Sequence, residues 1–244
     1  MRQRVYLGRA GDPPAGASYT RPTVDVSPSV VLAVWAAGVA AALGVVAGWR
    51  IVGPGFGWLG SGVTVLLGVP AALSSGTIWG WLGCALAAIG FVAARRRAPV
   101  VVSMGGAAVC FVVVASIDGG VLDALSGALL LGGVTGSMML GHWYLVDPRL
   151  PRRSLRALAA AGAAGALVDF GVVAFAGAIP WAGTDAVAGV GFVLLAVTTM
   201  VLMIAVWLAL GEAGYSGVMA ATGLSYLAVL TAIGSAVVGR ILAG

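Results

Sequence analysis

The apolar runs LDALSGALLLGGVTGSMMLGHWYLV (122–146) and LRALAAAGAAGALVDFGVVAFAGA (155–178), joined by DPRLPRRS (147–154), decide the fold. A helix rises 1.5 Å per residue and a bilayer's hydrocarbon core is about 30 Å thick, so about 20 apolar residues make one crossing. Both runs are long enough. The joining segment carries Pro148, Pro151, Arg149, Arg152 and Arg153, the composition of a turn at a membrane surface.

The pattern continues on both sides, with spans expected at roughly 29–48, 57–73, 77–94, 99–117, 122–146, 155–178, 186–210 and 217–240. Over the whole chain 61% of residues are hydrophobic and only 9% charged, where a soluble domain has about 25% charged. The expected architecture is therefore all-α, a polytopic transmembrane helix bundle of about eight spans occupying residues 29–244 as one domain. It leaves no room for a separate soluble catalytic domain. Residues 1–28 are polar, with Arg2, Arg4 and Pro13-Pro14, and read as a mobile or partner-bound tail. They lack the apolar core of a signal peptide.

Segment 57–73 is the doubtful crossing. It holds Gly57, Gly60, Gly62, Gly68 and Pro70, and a re-entrant course there would give seven spans. With eight spans, Arg50, Arg95 to Arg97, Arg149, Arg152, Arg153 and Arg156 share one side, the cytoplasmic one by the positive-inside rule. Asp118, Asp123 and Asp185 then fall on the other. The two halves show no self-similarity in sequence.

All 13 basic residues are arginine. Lysine and asparagine are absent, which fits a GC-rich, bacterial genome and places the chain in a bacterial inner membrane. A net charge of +5 would suggest nucleic acid in a soluble protein. Here the arginines lie beside apolar spans, so topology explains them and no nucleic-acid partner is expected. Cys84 and Cys110 sit in apolar segments without CxxC spacing and read as packing residues. A single histidine excludes bis-histidine haem ligation within the chain and a His-rich metal site. Gly55-Phe56-Gly57-Trp58-Leu59-Gly60 matches GxGxxG but follows no strand, so no nucleotide site is expected, and no other cofactor motif is present. The glycines serve helix packing instead, as in the Ala40, Gly44, Gly48 row.

Three groups can carry chemistry. Asp169 lies about 22 Å into its span, among Gly162, Gly165 and Ala166; a carboxyl there is expected to face the bundle interior, as a proton relay or an interhelical hydrogen bond to Thr198, Thr199, Ser225 or Tyr226. His142, with Met138 on its face and Trp143 and Tyr144 beside it, sits about one turn inside the cytoplasmic end, where it can meet a quinone, a lipid or a partner's cofactor. Arg149, Arg152, Arg153 and Arg156 are placed to contact anionic lipid. Asp123 reads as a helix cap, Arg240 as a snorkelling end residue, Glu212 as a loop acid, and Trp79, Trp81 and Trp181 as an interfacial belt.

Short loops, few intramembrane charges and abundant glycine favour a non-catalytic membrane subunit or accessory protein of a larger, respiratory or redox, assembly, bound to partner subunits and lipid. The alternative expectation is a small-solute or proton-coupled transporter using Asp169.

Overall fold

The computed structural model describes residues 28–243; the polar tail lies outside the described residues. Among these, all regular structure is helical: α1 (Pro28–Trp49), α2 (Pro54–Ser75), α3 (Ile78–Val92), α4 (Arg97–Gly119), α5 (Val121–Val146), α6 (Arg152–Phe175), α7 (Ala186–Ala209) and α8 (Tyr215–Ala243). All but α3 are long and apolar enough to cross a membrane. The protein is a multi-pass membrane helix bundle.

The doubt over residues 57–73 falls on the wrong helix. Helix α2 runs unbroken for 22 residues, from Pro54 in its first turn to a left-handed Gly76 (φ 63) whose N–H returns to the Ala72 carbonyl. Its glycines do not break it; they are where neighbours approach. A Cβ on Gly60 would stand 2.8 Å from Leu43, and one on Gly57 3.2 Å from the Ala94 Cβ. The short helix is α3, whose 15 residues span about 22 Å. It starts on Thr77, whose hydroxyl accepts from the Gly80 N–H.

Close approaches also give the helix directions. Gly80 lies against Ala72, Gly68 against Cys84 and Gly57 against Ala94, so α3 and the turn after it run back along the whole of α2. In α1 and α5, Val34 meets Gly127, Gly38 meets Gly132 and Ala42 meets Gly136. Residue numbers rise together along this contact, so α1 and α5 are parallel. Parallel α1 and α5 require an even number of reversals between them, and with α3 running back along the whole of the 22-residue α2 the chain makes four, α2, α3 and α4 each traversing the bundle. The geometry therefore supports eight traverses, with Arg50, Arg95, Arg96 and the 147–156 segment at one end and Asp118, Asp123 and Asp185 at the other.

Helices α1–α4 form a ring in which each packs on the next and α4 closes on α1; α5–α8 repeat that arrangement, with α8 closing on α5. The rings meet mainly along α1 and α5. The two halves thus share a packing pattern that their sequences do not reveal. Where the rings join, a Cβ on Gly132 would lie 2.5 Å from the Gly38 carbonyl oxygen. Lipid gives no hydrophobic drive for helices to associate, so such backbone-to-backbone packing supplies the cohesion. The indole N–H of Trp35 adds a hydrogen bond to the Thr135 hydroxyl, 3.0 Å. Between the two rings the closest glycine approach is this Gly38–Gly132 crossing; in the Ala40, Gly44, Gly48 row, a Cβ on Gly48 would meet nothing within 4 Å.

Candidate functional site

Asp169 is 1% exposed, and its partners come from α5 and α8. The Arg240 guanidinium grips it with both terminal nitrogens, Nη2 to Oδ1 at 2.8 Å and Nη1 to Oδ2 at 3.1 Å, the bidentate geometry that makes arginine–carboxylate pairs strong. The Ser126 hydroxyl donates to Oδ1 at 2.8 Å. Arg240 Nη2 also donates to the Asp123 carbonyl, 2.8 Å, and its Nε stands 3.3 Å from the Asp123 carboxylate. Neither Asp123 carboxylate oxygen accepts a hydrogen bond.

Three sequence expectations change here. The hydroxyls of Thr199, Ser225 and Tyr226 bond elsewhere, to Leu195 and Thr231, to Thr222 and to His142, and Thr198 makes no bond to Asp169. Arg240 does not snorkel outward but is 4% exposed. Asp123 caps nothing; as the third residue of α5 it is buried beside Arg240. The cluster lies toward one end of the bundle, as the expected depth of about 22 Å implies: Asp169 is about 9 Å from the end of α6 and Arg240 about 4 Å from the end of α8. Gly127 makes room for the guanidinium, because a Cβ there would collide with Arg240 Nη2. The sequence signal for the pair was available: Asp169 and Arg240 each lie toward the C-terminal end of α6 and α8, two spans that run parallel with α7 between them.

At the opposite end, the arginines have separate employments. Arg152 reaches across to the α7–α8 turn and donates to the carbonyls of Glu212, Ala213 (3.0 Å) and Gly214 (3.1 Å), giving these turn acceptors a charged donor. The Arg156 guanidinium lies 4.0 Å over the Trp207 ring. Arg149 bonds Asp147 through its backbone N–H only. The Arg153 side chain has no hydrogen-bond or ion-pair partner among the described residues.

His142 is exposed on α5, and its Nδ1 pairs with the Tyr226 hydroxyl of α8 at 3.3 Å. Met138 is half-buried below it. Trp143 and Tyr144 turn away from that surface. Trp143 packs edge-on against Phe56 at 5.9 Å and over Gly55, and Tyr144 is buried. The four residues read together in the sequence are thus divided, with His142 on the surface, Met138 half-buried, and Trp143 and Tyr144 turned inward. Among the described residues no cluster of His, Cys, Asp or Glu is arranged to hold a metal. Comparison of the chain with known families, with characterised proteins and with solved structures gives no match.

Proposed function

We propose that the chain is a non-catalytic subunit of a larger membrane assembly, in a bacterial inner membrane with the arginine-rich end cytoplasmic. The observation that carries this reading is the outward-facing His142–Tyr226 pair. Polar side chains at membrane depth are costly against lipid and normally face protein or a polar ligand. Here the imidazole and phenol lie on the outer surface of the α5–α8 contact, and Nε2 has no partner among the described residues. A neighbouring subunit, or a quinone headgroup held at its border, gives that nitrogen a partner. Of the four arginines Arg149, Arg152, Arg153 and Arg156, Arg149 and Arg153 have no side-chain partner among the described residues and are the ones free for anionic lipid.

The ion cluster supports a structural rather than a transporting role for Asp169, because both its oxygens are already engaged by Arg240 and Ser126. One feature favours the transporter alternative: two carboxylates face a single guanidinium, which leaves Asp123 without a hydrogen-bond donor of its own. Purification in mild detergent tests the first reading. It expects stoichiometric partner chains that are lost with His142→Ala; a pure, homogeneous single chain with no partner counts against it. For the alternative, an Asp169→Asn variant with undiminished proton-coupled uptake in liposomes removes the role of that residue.

A further inference from the structure

Helix α4 packs along α1 but meets α5 only sparsely. Between α1, α4, α5 and α6 this leaves an apolar groove of about 520 Å³, lined by small and branched residues including Ala37, Ala41, Val109, Leu129 and Ala157 and ending at Trp49. Several of these, Val109 and Leu129 among them, are exposed, so the groove opens toward lipid. Along α1 from Ala37 to Trp49 it runs about 18 Å, close to the roughly 15 Å depth of one leaflet's hydrocarbon. An acyl chain lying along that length stays within one leaflet.

The groove's end at Trp49 and Ala157 continues into a second, more polar hollow of about 350 Å³ lined by Trp49, Ile51, Arg153 and Ser154. This is the arginine-rich end of the bundle. Cations at the start of a helix are not favoured by its dipole, so Arg152, Arg153 and Arg156 need other reasons for their places. Arg152 has one in the α7–α8 carbonyls and Arg156 one in Trp207. Arg153 has no such partner among the described residues, and it faces the hollow where an apolar channel one leaflet deep reaches headgroup level.

We infer that this groove is a specific site for an anionic phospholipid of the arginine-side leaflet, one acyl chain lying along α1 and the phosphate on Arg153. The site is on a different face from His142 and Tyr226 and does not depend on a partner subunit. The full chain in detergent is titrated with phosphatidylglycerol or phosphatidylcholine and read by native mass spectrometry. One phosphatidylglycerol per chain is expected, with phosphatidylcholine about fivefold weaker. Arg153→Gln weakens the phosphatidylglycerol complex about fivefold and removes the preference, whereas Arg149→Gln, outside the lining, leaves it intact. Ala41→Phe, at an exposed position where the fold tolerates bulk, fills the groove and weakens both lipids. Equal retention of the two lipids, or undiminished binding in Arg153→Gln or Ala41→Phe, overturns the inference. A photocrosslinker at position 41 that captures a protein chain instead of lipid overturns it as well.

Discussion

The Arg240–Asp169 pair offers the sharpest energetic test. Arg240→Gln removes the bidentate grip at 2.8 and 3.1 Å and leaves Asp169, 1% exposed, with Ser126 as its remaining donor. Asp123 loses the cation that faces it among the described residues. Breaking a buried pair by deleting one member costs about 3–5 kcal/mol, because the other charge stays buried without compensation. At roughly 2–4 °C per kcal/mol for a chain of this size, Tm falls by about 6–20 °C. Asp169→Asn keeps the shape and the Ser126 contact, and leaves the guanidinium facing Asp123, so its cost is smaller, about 1–3 kcal/mol. The combined variant, with two neutral amides, recovers part of the sum. The coupling energy from thermal unfolding in one detergent–lipid mixture is expected near 2 kcal/mol, within the range for residues in one network. High salt leaves it nearly unchanged, since screening acts on charges that solvent reaches. Additive losses, with coupling below about 0.5 kcal/mol, would refute the view that this pair ties α6 to α8.

Two further expectations test the packing. Gly165→Ala places a Cβ 2.5 Å from the Leu130 backbone and is expected to lower stability by about 1–3 kcal/mol, as overpacking against unyielding neighbours does; Gly171→Ala, in the same helix with nothing within 4 Å, is expected to be neutral or to gain up to about 1 kcal/mol. A Tm ordering the other way round contradicts the α5–α6 contact. Arg152→Ala frees the carbonyls of Glu212, Ala213 and Gly214, and limited proteolysis at the α7–α8 turn should accelerate while the rest of the bundle stays resistant.

Much of the fold was legible because the bilayer demands long apolar helices, and the breaks at Gly53-Pro54, Gly76 and Asp147–Pro151 mark the ends of α1, α2 and α5. Segment 57–73 is a span as expected, and the doubt about it arises only where glycine is weighed as helix-breaking. In lipid, the same glycines are contact points for Leu43, Ala94 and Phe111. The duplicated ring arrangement was invisible because backbone packing constrains residue size rather than identity. At the site, Asp169 was singled out by its depth, but its partner was missed: Arg240 lies near a helix end, where snorkelling is the usual outcome, and nothing local shows that Gly127 opens a space for it. His142 was found by its isolation, and Tyr226, placed beside Asp169 in expectation, turned out to be the partner of His142. That exchange follows from helix rotation, which a single sequence does not constrain when every face is apolar.

The proposal of a membrane subunit rests most directly on what covers the His142–Tyr226 surface. A benzophenone photocrosslinker placed at Tyr226 in native membranes, with Val190 on the exposed face of α7 as the lipid-facing control, reads this out. The account predicts a discrete adduct between position 226 and one other membrane protein, lost with His142→Ala, and only lipid adducts from position 190. Lipid adducts alone at both positions would contradict it.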